Sequence, residues 1–167
     1  MMIGKVIKYD MKYINTDLII PARYLITSDS KFLAKHCMED LDAKFIENKS
    51  KYGYTILVAG SNFGCGSSRE QAPIALKSAG IKSIIAPSFA RIFFRNAINI
   101  GLPIIECNNI KAINTGDELE LRFTEGIIKN LSTNFEFSVK KMPSFIEEIV
   151  SDDGLVNYAR RIILKNT

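Results

Sequence analysis

The chain is poor in metal-binding and redox side chains. Its 167 residues include a single histidine, His36, and three cysteines, Cys37, Cys65 and Cys107. The cysteines lie far apart and lack the paired spacing of a zinc or iron–sulfur site. An odd, sparse set of thiols also builds no disulfide framework and points to a reducing compartment. His36 sits in Lys35-His36-Cys37-Met38-Glu39, which reads as helix and offers no co-ligands, so a surface or packing role is expected. Long apolar runs are missing too: none approaches a membrane span, and no N-terminal stretch reads as a secretory signal. The net charge of +4 is mild and spread along the chain. No basic tail or basic stripe with interleaved aromatics is visible, which speaks against nucleic acid as a partner. Repeats, low-complexity tracts and linkers are absent. These gaps leave a cytoplasmic, membrane-free protein whose residues 1–167 form one domain.

Hydrophobic residues make up 47% and charged residues 24%, the balance of a globular fold with a real core. The most informative stretch is Gly60-Ser61-Asn62-Phe63-Gly64-Cys65-Gly66-Ser67-Ser68-Arg69-Glu70-Gln71-Ala72-Pro73. It follows the apolar run Tyr54 to Ala59 and precedes a helical pattern. Its glycines permit sharp turns and close backbone approach to a ligand. Two hydroxyls and an arginine then arrive where unpaired helix N–H groups point at an anion. The structural alternative is an ordinary Gly-rich connection closed by a capping box, Ser67 to Glu70 or Ser68 to Gln71. Other glycine motifs fail at residues with physical jobs. A P-loop needs a lysine, and none lies between Lys51 and Lys77; the dinucleotide fingerprint needs glycine where Arg69 stands; the hydrolase elbow needs glycine at Glu70.

The central third alternates strand and helix. Tyr54 to Ala59 reads as a strand buried on both faces, Ala72 to Ala79 as a helix closed by Gly80, and Ser83 to Ala86 as the next strand. A second helix is expected from Pro87-Ser88 to about Ile100, then a strand from Pro103 to Cys107. Two strand–helix–strand units imply parallel pairing, with ligands beyond the carboxyl ends of the strands. Further on, Leu119, Leu121 and Phe123 alternate with polar residues, and Phe135, Phe137 and Val139 alternate in a later segment, as in half-buried antiparallel strands. Pro143 to Val150 and Gly154 to Lys165 read as closing helices. The first fifty residues show one strand, Ile3 to Tyr9, followed by a loop with Asn15-Thr16-Asp17.

Four separated blocks now converge. The Gly60 loop, NTDLIIPARYL (Asn15 to Leu25), APSFARIFFRNAINIGLP (Ala86 to Pro103) and TGDELEL (Thr115 to Leu121) together resemble the 3-isopropylmalate dehydratase small subunits. That family is similar to the swivelling fourth domain of aconitase. The resemblance covers almost the whole chain, and the blocks keep the family's order. It implies an α/β fold of the swivelling β/β/α kind, with central parallel strands, crossover helices and added antiparallel strands.

It also implies a reaction: removal and readdition of water on a hydroxy-dicarboxylate, as in leucine biosynthesis. Hydroxide leaves poorly without a Lewis acid, and the proton departs from a carbon next to a carboxylate. By resemblance, Ser67 is the base, Ser68 and Arg69 hold substrate carboxylate, and Asp17 is an active-site acid. An alcohol serves as a base only where cations and N–H donors stabilise the alkoxide. For Asp17 the structural alternative is an Asx turn or a helix cap. Tyr24-Leu25-Ile26-Thr27 resembles the family's specificity loop, where relatives acting on tricarboxylates tend to place arginine at the position of Ile26. Tyr24 and Ile26 are therefore expected to bind substrate, against the alternative that Ile26 is core. Gln71 departs from the family's usual histidine; it keeps hydrogen bonding but carries no proton, so its role is read as positional.

Arg91 and Arg95, one helical turn apart, could face the substrate or tie the helix to neighbouring loops, and structural ion pairing is the expected role. Cys65, flanked by glycines near a helix start, has no nucleophilic role in this chemistry. The chain itself is expected to bind no cofactor. The resemblance places a [4Fe–4S] cluster on a separate large subunit, in a heterodimer or heterotetramer, so this chain alone is expected to be inactive. Within the enzyme class the rivals are homoaconitase-type and dimethylmalate-type dehydratases. Outside it stand an anion-binding or RNA-binding regulatory module.

Overall fold

The computed structural model describes residues 1–165. The apolar run Tyr54–Ala59 forms β2, in which all but Thr55 are buried. Its neighbours are β1 (Met2–Tyr9) and β3 (Ser83–Ala86), both parallel to it, and β4 (Ile104–Glu106) runs parallel to β3. On the other side of β1, β5 (Glu118–Arg122), β6 (Ile127–Asn130) and β7 (Phe135–Ser138) pair antiparallel. Among the described residues these make one seven-stranded sheet in the order β4-β3-β2-β1-β5-β6-β7.

Strand parity splits the core into two layers. Ile7, Leu57 and Ile84 face helices, packing with Ile19, Leu33, Leu76 and Phe93. Val6, Ile56, Val58, Ile85 and Ile105 face the opposite way and pack with Leu119, Leu121, Ile128 and Phe137. The antiparallel half of the sheet therefore curls over the parallel half, giving the expected mixed β/β/α arrangement. On the helical side lie α1 (Thr16–Ile19), α2 (Ser30–Lys35), α3 (Phe45–Tyr52), α4 (Gln71–Ser78) and α5 (Arg91–Asn99), and the chain closes with α6 (Ser144–Ser151) and α7 (Leu155–Lys165). No helix among the described residues is long and apolar enough to cross a membrane.

Several expectations shift. The helix expected from Pro87-Ser88 begins only at Arg91, because Phe89 first bridges to Phe63 in parallel fashion and Ala90 is still extended. Neither capping box forms: Glu70, the residue before α4, makes no side-chain cap, and neither serine hydroxyl is used for one. In β7 only Phe137 is buried, while Phe135 is exposed, and Val139, expected to continue the alternation, lies half-buried just past the strand. The reading of one strand and a helical stretch from Lys35 to Glu39 before residue 50 misses α1, α3 and most of α2, which ends at Lys35. Asp29 caps α2 through the Lys31 N–H, and Gly53 ends α3 in a left-handed conformation at φ 72°. His36 lies just past the end of α2 rather than inside it.

Two ionisable groups, the buried Cys37 and the partly buried Tyr9, sit beside one another on the helical side. Burial pushes the Cys37 thiol well above its ordinary value of 9.0. Burial also raises the Tyr9 hydroxyl, aided by the Asp42 carboxylate that accepts its hydrogen bond at 2.7 Å. A group whose pKa is raised by folding stabilises fully below its unfolded value and loses that contribution as pH climbs towards the folded one. Stability is therefore expected to fall above pH 9, by about 1.4 kcal/mol per pH unit from Cys37 alone, with Tyr9 acting in the same direction at higher pH. Urea midpoints measured from pH 7 to 11 check this; Cys37→Ala is expected to flatten the first part of the alkaline slope.

Candidate active site

The loops that leave β1 and β2 stay paired after the strands end. Gly60 N–H donates to Met11 O (3.1 Å), Tyr13 N–H to Ser61 O (2.9 Å), Gly64 N–H to Ile14 O (2.8 Å) and Thr16 N–H to Cys65 O (2.8 Å). The parallel bridge Asn15↔Cys65 keeps the same residue offset as Tyr9↔Ala59 in the ladder below it. On its other flank the loop is tied to the segment after β3: Phe63 N–H donates to Ser88 O and Ala90 N–H to Phe63 O. The Gly60 loop is thus held between two neighbours at the carboxyl ends of the parallel strands.

Glycine is required at two of its positions for steric reasons. A Cβ on Gly60 would lie 2.5 Å from Met11 O, closing the approach of the two loops. One on Gly64 would lie 2.2 Å from Phe93 Cγ, and the backbone there has φ 76°. Beneath it Phe63 and Phe93 meet edge to face, with centroids 5.2 Å apart, and anchor the loop to α5.

Beyond this anchor, Ser67 and Ser68 reach solvent. Thr16, almost fully buried, donates from Oγ1 to the Ser67 carbonyl at 3.1 Å and so fixes the main chain under the serine. Arg69 lies mostly beneath the surface and points back to α1, donating from Nη1 to Asp17 Oδ1 (2.5 Å) and to Ile20 O (3.3 Å). Its Nε and Nη2 carry no hydrogen bond within the described residues, so part of the guanidinium fork stays available. The Ser67 and Ser68 hydroxyls, and the backbone N–H groups of Ser67, Ser68, Glu70 and Gln71, likewise find no acceptor or donor there. Two alcohols, a cation with spare donors and a helix start with open N–H groups converge on one exposed ridge, which is an oxyanion-binding arrangement.

The structure brings together Asp17, Ser67, Ser68 and Arg69. Asp17 is not the helix cap: Asn15 has that job, accepting the Leu18 N–H at 2.9 Å, which leaves Asp17 to pair with Arg69. Tyr24 and Ile26 follow α1 on a separate segment, joined to residues 67–69 by no hydrogen bond among the described residues. Tyr24 stacks on His36 at 3.8 Å and meets the edge of Phe32, and Arg23, above its ring, binds Glu39 and Asp40. Burial raises the Glu39 carboxyl, but hydrogen bonds to Tyr24, His36 and Arg23 outweigh it and hold the group below its ordinary range. The root of the segment is thereby fixed while Ile26 is 87% exposed, which removes the reading of Ile26 as core.

The ion pairs expected for Arg91 and Arg95 do not form: both are exposed, and neither has an acidic partner among the described residues, because α5 turns Phe93 and Ala97 inward and the arginines outward. Two contributors escaped the sequence reading. Thr16 and the Ile20 carbonyl act through contacts to the distant loop; Thr16 is signalled only as a hydroxyl between two named polar residues.

Two of this chain's three thiols do not suit an iron–sulfur cluster. Cys37 and Cys107 are buried in different core layers, and burial pushes both thiols up, away from the thiolate a cluster requires. Among the described residues no three His, Cys, Asp or Glu side chains are placed to share a metal ion.

The parallel strands and the Gly-rich Ser-Ser-Arg loop at their carboxyl ends fall within the part of the chain that matches the class of aconitase C-terminal domains. The family described as Aconitase C-terminal domain matches residues 2–109. A 3-isopropylmalate dehydratase small subunit from Clostridium botulinum is 58% identical over 158 residues, covering 94% of this chain and 96% of the relative. One from Caldicellulosiruptor saccharolyticus is 56% identical over 164 residues, covering 98% and 93%. A crystal structure of 3-isopropylmalate dehydratase from Methanocaldococcus jannaschii is 44% identical with a TM-score of 0.87, covering 99% of this chain and 98% of that one. The chain belongs to the 3-isopropylmalate dehydratase small-subunit family.

The loop's stability is open to direct measurement. Gly64→Ala must adopt a left-handed backbone and displace Phe93, so it is expected to destabilise the fold by ~2–5 kcal/mol in urea unfolding. Gly116→Ala, whose Cβ would meet nothing within 4 Å, should cost only the backbone part of that.

Proposed function

We propose that this chain is the substrate-handling subunit of a 3-isopropylmalate dehydratase, interconverting 2- and 3-isopropylmalate by loss and readdition of water. It acts as one swivelling domain in the cytoplasm, in a heterodimer or heterotetramer with a large subunit. That subunit carries a [4Fe–4S] cluster, which supplies the Lewis acid for the hydroxyl group. The observation that carries the reading is the exposed Ser67-Ser68-Arg69 ridge with its unsatisfied donors, in a chain 58% identical to a small subunit of that name.

The roles follow from the chemistry of each group. Ser67 takes the proton from the carbon beside a substrate carboxylate and returns it when water adds back. Arg69 and the open N–H groups stabilise the alkoxide and the charge that develops on substrate oxygen. Ser68 and the free donors of Arg69 hold a carboxylate, and Asp17 keeps the guanidinium plane in place. Gln71, partly exposed at the first position of α4, offers an amide to orient substrate but exchanges no proton. Tyr24 and Ile26 contact the substituent that distinguishes one substrate from another. An exposed apolar tip at Ile26 suits an isopropyl group and offers nothing to an extra carboxylate, which favours isopropylmalate over homocitrate-type acids.

Reconstitution with a cluster-bearing large subunit tests these roles, and the isolated chain is expected to show no dehydratase activity. In the complex, Ser67→Ala is expected to lower kcat by about 10²–10⁴-fold with a small change in KM. Arg69→Lys keeps the charge but loses the fork, and is expected to raise KM more than it lowers kcat. Ile26→Arg is expected to shift preference towards tricarboxylates; unchanged relative activities on the two acid types would contradict the assignment of the loop.

A further inference from the structure

A second polar concavity opens at the same end of the sheet, on the side away from α1. Its volume is about 680 Å³, and its lining comes from the segments after all four parallel strands. Lys8, Asp10 and Lys12 come from the end of β1, Gly60 and Ser61 from the segment after β2, Pro87 from that after β3, and Asn108, Lys111 and Asn114 from that after β4. It shares only Gly60 and Ser61 with the loop that carries Ser67, and it includes none of residues 15–26 or 67–71.

The charges in this cleft do not balance. Three lysines face one aspartate, leaving the lining at +2. Asp10 is already paired with Lys8 at 3.0 Å, while Lys12 and Lys111 have no acidic partner among the described residues. The Lys8 side chain is only 9% exposed, yet its single counter-ion is 78% exposed. A lysine held mostly out of water is favoured by a close counter-charge, and a carboxylate largely in water supplies that weakly. The remaining polar side chains add donors: the Ser61 hydroxyl and the Asn108 and Asn114 amides make no side-chain hydrogen bonds within the described residues. Lysines fix no bidentate geometry, so the cleft selects by charge number more than by shape.

We propose that this cleft is a binding site for a small multivalent oxyanion, one with at least two phosphate or carboxylate groups, separate from the Ser67 ridge. Lys8, with its side chain largely covered, supplies a positive charge at the floor of the cleft. Lys12 and Lys111 close on the anion from the segments after β1 and β4, and Ser61, Asn108 and Asn114 donate to its remaining oxygens. The proposal does not depend on the dehydratase reading, since it concerns different side chains.

Titration calorimetry on the full chain, with pyrophosphate, citrate and acetate as probes, tests it. Pyrophosphate or citrate is expected to bind with a stoichiometry of one and acetate not at all; the stronger of the two identifies phosphate or carboxylate as the preferred group. Lys12→Ala and Lys111→Ala are each expected to weaken binding by about tenfold or more, as for loss of a charged hydrogen bond. Lys12→Arg should retain it, and Ser67→Ala and Arg69→Gln should leave it unchanged. Binding lost in Arg69→Gln but kept in the lysine variants would place the anion on the Ser67 ridge and overturn the proposal. So would the absence of heat with every probe. If the lysine variants instead weakened association with the large subunit and no anion bound, the cleft would be a protein-docking surface and the proposal would fail.

Discussion

Four backbone hydrogen bonds between residues 11–16 and residues 60–65 carry the parallel pairing of β1 and β2 past the ends of the strands. The rest of the ridge hangs on them. They convert two connections, which would ordinarily be mobile, into an extension of the sheet with the same register. Gly60 and Gly64 make this possible because a side chain at either would collide with Met11 O or with Phe93. Thr16 then fixes the Ser67 carbonyl, and Asp17, in the next turn of chain, catches Arg69. A serine on an unanchored loop would have no defined place relative to a ligand. This one is positioned by a ladder that begins in the core.

The ridge is unfinished in a chemically specific sense. Its hydroxyls and open N–H groups belong to residues that reach solvent, and exposed dipoles in water are screened and solvated. The same groups act strongly on an oxyanion only when water is excluded. A second protein surface laid over this end of the sheet would supply that exclusion, which fits membership in a family of small subunits. Two of the chain's three thiols, Cys37 and Cys107, lie buried in separate layers of the core.

Much of this was legible in the sequence, and what was not has identifiable causes. The apolar run of β2 and the short apolar Ser83–Ala86 announced buried strands because both faces are covered. The alternation of Leu119 and Leu121 gave the antiparallel half for the converse reason. Short helices α1 and α2 were missed because four and six residues give too little periodicity to read. The late start of α5 depends on the Phe63–Phe89 bridge, a contact across 26 residues that no local pattern encodes. Arg91 and Arg95 were assigned ion pairs from spacing alone, but only the packing of Phe93 decides which face of the helix meets solvent. Ser67, Ser68 and Arg69 stood out by residue type beside a helix start, and Asp17 only through the family resemblance; the contribution of Thr16 needed the fold.

Amide hydrogen exchange on the full chain tests the central claim most directly, because the loop ladder consists of backbone hydrogen bonds. The Tyr13, Gly64 and Thr16 amides are predicted to exchange nearly as slowly as those in the middle of β1 and β2, while Ser67 and Ser68 exchange fast. Rapid exchange at Gly64 and Thr16, at the rate of a free loop, would mean that the sheet does not extend to the ridge and that Ser67 is not held in place by it.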